Sequence, residues 1–270
     1  MLITGCSSGI GHAAAHALHE RGWRVFASCR KAGDVARLET EGLRCLPLDL
    51  DDSASIAAAV DSVLAETGGR LDALFNNGGY GLAGAAEDLS RDALRAQFET
   101  LVFGWAELSN RVLPVMRRQG HGRVVMNSSV LGLVALPYRG AYVAAKHALE
   151  GLTDAWRQEL HGSGIHFSLI EPGPILTRFR ANSLAAFRQW VDVEASPHRE
   201  RYRRMLDRLE KEGPAVPFTL GPEAVVKPLI HALESARPRA RYYVTFPTHL
   251  FGTLKRLLPT RALDAILRRV

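Results

Sequence analysis

The segment that most restricts the fold runs from Met1 to Ala27. Met1-Leu2-Ile3 is a short apolar run suited to a strand, and Thr4-Gly5-Cys6-Ser7-Ser8-Gly9-Ile10-Gly11 follows it. An alanine-rich stretch from Ala13 to Glu20 has helix-forming composition, and Gly22 then precedes a second apolar run, Trp23 to Ala27. Strand, glycine-rich turn, helix and strand make the unit that binds dinucleotides. The glycines let the backbone turn tightly and approach a pyrophosphate. The helix N-terminus offers the anion free N–H groups and a favourable dipole. Glycines so spaced also serve ordinary strand-to-helix turns, so the reading rests on the whole unit.

The same alternation continues along the chain. Apolar runs of strand type fall at 2–4, 23–28, 43–47, 71–75, 123–127, 165–170 and 242–246, with helical patterns near 10–20, 34–40, 53–66, 91–117, 141–161 and 222–235. This order predicts an α/β fold, a doubly wound parallel sheet of Rossmann type with helices on both faces. With 270 residues, 47% of them hydrophobic, the chain is read as a single domain with a sizeable core. Cys6, Cys29 and Cys45 show no paired or ligand-like spacing, which predicts reduced thiols and no metal site. No apolar run reaches the roughly 18 residues of a membrane span. Polar Ser7-Ser8 falls where a signal peptide would be apolar, so a cytoplasmic location is expected. The short lead before Thr4 suggests a clipped first strand.

Chemistry concentrates in the middle of the chain. Tyr142 and Lys146 lie four residues apart, on one helix face, and Ser129 precedes them by thirteen. A free phenol has a pKa of roughly 10, and a fixed positive charge nearby is expected to lower it. A hydroxyl from Ser129 would hold a substrate oxygen within reach of that phenol. These residue types suit proton transfer to or from an alcohol or carbonyl. A tyrosine one turn from a lysine is more commonly a solvated helix face, so the trio gains meaning only beside a cofactor site.

With both features in view, the chain resembles the short-chain dehydrogenases/reductases. The family's Thr-Gly-x-x-x-Gly-x-Gly is met at Thr4, Gly5, Gly9 and Gly11, and its Asn-Asn-Ala-Gly at Asn76-Asn77-Gly78-Gly79. Its Ser and Tyr-x-x-x-Lys fall at Ser129, Tyr142 and Lys146, and its Pro-Gly segment at Pro172-Gly173-Pro174-Ile175-Leu176-Thr177. The motifs keep the family's order over about residues 1 to 235. The glycine turn and the Arg30 region look most like the NADP-dependent hydroxysteroid and retinol dehydrogenase branch. The resemblance implies that Tyr142 is the general acid/base and that Ser129 and Tyr142 contact the substrate. Lys146 would lower the tyrosine's pKa and hold the nicotinamide ribose. It further implies that Gly5, Ser7, Ser8, Gly9, Ile10, Gly11, Asn77, Gly78, Tyr142, Lys146, Pro172, Gly173 and Ile175 line the cofactor. Asp49 and Leu50 would flank the adenine, and Thr177 would meet the carboxamide.

The end of the second strand bears on cofactor choice. The ribose-reading acid of NAD enzymes falls about 20 residues past the glycine turn. Here that position is Lys31, preceded by Arg30, with no acid before Asp34. A basic pair favours the 2′-phosphate of NADP over NAD, and Ser7 or Ser8 would add a hydrogen bond. A solvated strand end also carries such residues commonly.

Two regions depart from the family or extend it. Relatives carry an Asn, in a pattern like Thr-Asn-Val-x-Gly, thought to bend a helix and anchor a water feeding protons to the lysine. Here the run is Thr100-Leu101-Val102-Phe103-Gly104, so Leu101 offers no hydrogen bond. Gly78 replaces the family's Ala. Between about 177 and 217, apolar side chains (Phe179, Leu184, Phe187, Trp190, Val191, Tyr202, Met205, Leu209) alternate with arginines. In the family this is the substrate lid, and it suits an apolar alcohol or carbonyl; an amphipathic pair closing on its own core reads equally well. From 237 to 270, eight basic residues face one acid, a balance of +7 against +6 for the whole chain. Phe251, Leu254, Leu257, Leu258, Leu263, Ile266 and Leu267 would form an apolar stripe there. Packing on protein is expected, in preference to a membrane, and no motif supports nucleic-acid binding.

The sequence thus reads as an NADP(H)-dependent dehydrogenase or reductase, a homodimer or homotetramer acting on a small apolar substrate. The competing readings are a cofactor-binding, slow-turnover or regulatory member of the fold, motivated by Leu101, and another reaction on the same scaffold, such as epimerisation.

Overall fold

Seven short strands form one parallel sheet, each reached from the last through at least one helix. The computed structural model describes residues 1–211 and 213–270. Its first half runs β1 (Leu2–Ile3), α1 (Gly9–Glu20), β2 (Phe26–Cys29), α2 (Ala32–Thr40), β3 (Arg44–Pro47), α3 (Ser53–Thr67) and β4 (Ala73–Asn76). Then come α4 (Arg91–Phe98), α5 (Trp105–Gln119), β5 (Gly122–Asn127), α6 (Gly140–Glu159) and β6 (Ile165–Pro172). The chain ends through α7 (Phe179–Trp190), α8 (Arg199–Glu210), α9 (Glu223–Glu234), β7 (Arg241–Val244), α10 (Phe246–Leu257) and α11 (Thr260–Leu267). The strand order is β3-β2-β1-β4-β5-β6-β7. It reverses direction at β1 and β4, whose carboxyl ends therefore open the crevice where doubly wound sheets bind ligands.

The strands read as apolar runs because both faces are covered. Successive side chains alternate between two core layers. Leu2, Phe26, Leu74, Val124 and Leu169 pack on one side with α3, α5 and α6 through Ile56, Val60, Trp105, Leu108 and Leu149. Ile3, Ala27, Phe75, Val125 and Ile170 pack on the other with α1, α2 and α9 through Ala14, Leu18, Leu38, Val225 and Leu229. Local chemistry sets the helix ends. Asp52 caps α3 by accepting from the Ala54 N–H, and Gly68, at φ 65°, ends it in the left-handed conformation. Ser90 caps α4 by accepting from the Ala93 N–H.

The 177–217 region supports the second of its two readings for most of its apolar residues. Phe187, Val191 and Tyr202 bury themselves with Leu82 and Leu89 in a small core of their own. Phe179 is the exception, being partly exposed and turned toward Tyr142. The C-terminal stripe is divided. Phe251, Leu263 and Leu267 pack on the loop after β5 through Val130, Leu133, Val134 and Leu136, whereas Leu257 and Ile266 are exposed. Arg241 is not part of a solvated basic tail: it sits in β7 and ion-pairs with Glu150, Asp154 and Glu171. Among the described residues no helix is long and apolar enough to cross a membrane, and Cys6, Cys29 and Cys45 are free thiols.

Candidate active site

The glycine turn is built for close approach. Gly5 and Gly9 adopt φ of 70° and 62°, conformations that side chains disfavour. A Cβ on Gly5 would lie 2.4 Å from the Gly78 Cα, and one on Gly11 would lie 2.3 Å from the Gly5 carbonyl oxygen. Thr4 ties this turn to the end of β4, its Oγ1 accepting from the N–H groups of Asn77 and Gly78 at 2.8 Å each. Asn77 donates back to the carbonyl oxygens of Thr4 and Gly5 at 3.0 and 3.3 Å. Ser8 stands at the N-cap of α1 in extended conformation and makes no side-chain cap, so the first N–H groups of the helix remain available to an anion. The turn therefore fits a dinucleotide pyrophosphate. The Ile10 side chain packs against the α1 core layer.

The other predicted cofactor residues surround the same crevice to different degrees. Leu50 lies beside Gly78, where a Cβ would meet its Cδ1 at 3.2 Å. Asp49 uses its Oδ1 to accept from the Asp51 N–H at 3.1 Å. Pro172 ends β6, the Gly173 N–H donates to the Val244 carbonyl oxygen at 3.0 Å, and Ile175 is partly buried in the α1 layer. Thr177 crosses to the glycine turn, its Cγ2 lying 2.9 Å from where a Gly9 Cβ would be. Arg30 and Lys31 are exposed just past β2. A residue not foreseen from sequence, Arg37, donates to the Ser7 carbonyl oxygen at 2.7 Å and pairs with Glu41, bracing the turn from α2. Its i, i+4 spacing from Glu41 was the only sequence signal.

Ser129, Tyr142 and Lys146 converge at the carboxyl end of β5, and all three are buried. Ser129 starts a short 3₁₀ turn, with its Oγ accepting from the Leu131 N–H at 3.1 Å. Lys146 Nζ donates to the Asn127 carbonyl oxygen at 2.7 Å and lies over the Trp105 ring, 4.3 Å from its centroid. Asn127 in turn donates from Nδ2 to the Asn77 Oδ1 at 2.8 Å. A continuous polar chain thus joins the glycine turn, Asn77, Asn127 and Lys146. Asn127 and Trp105 were not foreseen: an Asn at the end of an apolar run and a core tryptophan carry no distinguishing pattern. Phe179 covers Tyr142 edge-on at 5.5 Å between ring centroids.

The electrostatics differ from the expectation that the ammonium depresses the phenol. Burial pushes Tyr142 well above its ordinary value, and the Ser129 hydroxyl only partly offsets it. Burial also lowers Lys146 to about 7, with the negative charge of Glu150 opposing that shift. The arrangement holds a protonated phenol beside an amine that gains and loses its proton near neutrality, both shielded from water.

Leu101 is buried within a π-turn, Glu99–Gly104, inserted between α4 and α5. The irregularity in the helix is therefore present with leucine at this position. Two glycines accommodate it. A Cβ on Gly104 would lie 2.2 Å from the Leu50 carbonyl oxygen, and one on Gly79 would lie 2.4 Å from Leu101 Cδ2. Leu101 shares its core layer with Leu50, Trp105 and Tyr142. A cavity of about 510 Å³ opens beside the glycine turn, lined by Gly9, Thr177, Arg180 and Leu209 among others.

Known proteins share this architecture. The family profile described as short chain dehydrogenase matches residues 1–186. The chain is 46% identical over 268 residues to the uncharacterized oxidoreductase YbbO of Escherichia coli K12, covering 99% of this chain and 93% of that one. It is 35% identical over 257 residues to 17-beta-hydroxysteroid dehydrogenase type 1 of Homo sapiens, covering 91% and 77%. A short chain dehydrogenase/reductase of Burkholderia phymatum, solved in complex with NAD, matches with a TM-score of 0.79 at 26% identity, over 99% of this chain and 94% of that one. With the sheet order, the glycine crevice and these similarities together, the chain belongs to the short-chain dehydrogenase/reductase family and is an oxidoreductase acting on CH–OH groups with a nicotinamide cofactor.

Proposed function

We propose that this oxidoreductase uses NADP(H) to interconvert an apolar primary or secondary alcohol and its aldehyde or ketone. The observation that carries the reading is the burial of Ser129, Tyr142 and Lys146 together at the end of the polar chain from the glycine turn. Ser129 orients the substrate oxygen and stabilises charge that develops on it. Tyr142 is the general acid and base. Its burial keeps the phenol protonated, the form that donates to a carbonyl oxygen undergoing reduction. Lys146, held by Asn127, supplies positive charge behind the phenol and a donor for the nicotinamide ribose. A bound nicotinamide supplies the hydride chemistry.

NADP is preferred over NAD in this reading because exposed Arg30 and Lys31 stand where a ribose-reading acid would be. An apolar substrate is favoured by Phe179 over Tyr142 and by an exposed apolar rim. In that rim the Leu176 N–H donates to the Leu220 carbonyl oxygen, and the Phe218 and Phe246 rings meet at a tilt, 4.9 Å between centroids. The human relative's name, a 17-beta-hydroxysteroid dehydrogenase, points the same way. The working unit is a single domain with its lid at about 177–217 and a basic extension at about 237–270. It acts as a cytoplasmic homodimer or homotetramer, with no nucleic-acid or membrane partner.

One observation favours a second reading. Leu101 offers no hydrogen-bonding group where relatives carry an Asn, as a cofactor-binding member with slow turnover would allow. A screen of NADPH oxidation against long-chain aldehydes, cyclic ketones and sterol ketones separates the two. Turnover of about 1 s⁻¹ or more on a panel member supports the enzyme. Tight NADPH binding with no turnover supports the alternative.

A further inference from the structure

Away from Ser129, Tyr142 and Lys146, α1 and α2 bring together three side chains of metal-binding type. His12 and His16 lie four residues apart on α1, so their rings share one face of that helix. Glu41, the C-cap residue of α2, reaches the same face. Its Oε2 accepts from Nε2 of His12 and from Nε2 of His16, at 2.8 Å each. The two rings stand 4.5 Å apart between centroids, tilted by 53°. Two imidazole nitrogens and one carboxylate oxygen thus lie within 4.8 Å of one another. Both helices are fixed beneath the group, α1 by Ala14, Ala15 and Leu18 and α2 by Leu38. The three side chains remain 34%, 30% and 28% exposed, which leaves an entry path and room for water. The cysteine spacing behind the expectation of no metal site does not bear on histidines.

The surroundings of Glu41 match those of a metal-bound carboxylate. Such a carboxylate is itself held by hydrogen bonds, which fix the oxygen that faces the ion. Here Arg37 Nη1 donates to Oε1 and leaves Oε2 to the imidazoles. Arg37 is held in turn, its Nη2 donating to the Ser7 carbonyl oxygen at 2.7 Å and lying 3.7 Å from Asp34, whose charge offsets part of its own. The hydrogen bonds from His16 and then His12 hold the Glu41 carboxyl at about 2, so it is an anion at neutral pH. A tetrahedral ion with ligands at about 2.0–2.2 Å needs ligand atoms about 3.3–3.6 Å apart. The Glu41 carboxylate would therefore withdraw by roughly half an ångström or a little more along each contact, a movement of one side chain with both helices in place.

We propose that His12, His16 and Glu41 bind a divalent transition-metal ion, with zinc the best match, and that the ion fastens the end of α2 to α1. Two imidazoles and a carboxylate suit zinc, and water completes the coordination on the exposed side. The ion takes the place of the two hydrogen-bonding protons. Each neutral ring then carries its proton on Nδ1 and offers the Nε2 lone pair, while a doubly protonated ring gives its Nε2 proton to water. No electrons are exchanged. Through Arg37 and the Ser7 carbonyl the same group touches the glycine turn, so the ion braces a wall of the cofactor crevice and not the reacting atoms. The proposal stands independently of the chemistry assigned to Tyr142.

The test uses the untagged full-length protein, first stripped with a chelator. At about pH 7.5, where an ordinary imidazole is mostly neutral, zinc chloride is titrated in a calorimeter. A single ion per chain should bind with a dissociation constant of about 100 µM or tighter. Because the ion binds the folded state, Tm should rise with zinc concentration. Magnesium, which prefers oxygen ligands, should leave Tm unchanged. In NMR of ring-labelled histidines, His12 and His16 among the ten histidines should shift at Nε2 on addition of zinc. His16→Ala removes one ligand and keeps a strong helix former at the position. It should weaken zinc binding by at least about tenfold and abolish the rise in Tm, with the metal-free Tm close to wild type. Glu41→Gln should weaken zinc binding likewise, and it carries the comparison where His16→Ala does not fold. Binding weaker than about 100 µM, shifts confined to other histidines, or wild-type zinc affinity in the variants would overturn the proposal.

Discussion

Replacing Leu101 by Asn tests whether the protein has lost a proton path or never uses one at this position. The leucine is 1% exposed, inside the π-turn, against Gly79 and the layer that holds Trp105 and Tyr142. Full burial of a leucine side chain stabilises by about 1.5–3 kcal/mol. A carboxamide placed there without partners adds a penalty of about 1–3 kcal/mol. The sum is roughly 2.5–6 kcal/mol, which for a chain of this size lowers Tm by about 5 °C or more. Urea titration gives the stability, and NADPH oxidation with the best carbonyl of the screen gives kcat. The expected outcome is a loss of stability in that range with no gain in rate. A loss under about 1 kcal/mol would show that the Asn finds partners and that the pocket is less apolar than described. A rate gain of about tenfold or more, with NADPH affinity unchanged, would show that the native chain lacks a proton route and would sink the account of Lys146.

Further outcomes follow from other parts of the crevice. NADPH should bind at least about tenfold tighter than NADH, a difference of ~1.4 kcal/mol, and Arg30→Asp should erode that preference; equal dissociation constants for the two cofactors in calorimetry at moderate salt would contradict it. Glu171, raised above its ordinary 4.5, keeps a proton when folded that the unfolded chain releases. Its contribution to stability is therefore complete below about pH 4.5 and is lost as pH rises to the raised value. Lys146, lowered from 10.5 to about 7, acts oppositely, so stability from this group rises with pH between those values. Glu171→Gln should flatten the decline on the acid side of neutrality in urea midpoints and leave the alkaline rise; an unchanged profile would refute the assignment. The protein should elute as a dimer or tetramer and stay unbound to anionic vesicles at ~0.15 M salt; co-flotation would contradict a tail that works by packing on protein.

The strands and the helices between them were legible because period and composition report burial directly. The runs at 71–75 and 123–127 became β4 and β5 since both faces of the sheet are covered. The glycine turn was legible because backbone geometry requires glycine at particular positions, as at Gly5 and Gly11. The π-turn was not: 91–117 has an unbroken helical pattern, and neither Leu101 nor the contacts of Gly104 with Leu50 mark a register change in sequence. The 177–217 region stayed ambiguous because Phe179 and Phe187 have the same chemistry, and only packing sends one toward Tyr142 and the other into its own core. Arg241 looked like one more basic residue near the C-terminus. Its carboxylate partners lie 91, 87 and 70 residues away in sequence, beyond any local pattern. The direction of the Tyr142 shift was misjudged for a related reason: the i, i+4 spacing displays the lysine but not the burial that outweighs it.

The central claim is that Tyr142 transfers the proton in a reaction driven by NADP(H). The most direct measurement compares wild type with Tyr142→Phe in single-turnover oxidation of NADPH by the best carbonyl substrate, with NADPH affinity measured on both. Removal of the phenolic hydroxyl leaves the ring that packs against Phe179, so the fold and the cofactor crevice should persist. The account predicts that the rate falls by about 10²-fold or more, while the dissociation constant of NADPH changes by less than about threefold. A variant that keeps more than about a tenth of the wild-type rate would contradict it.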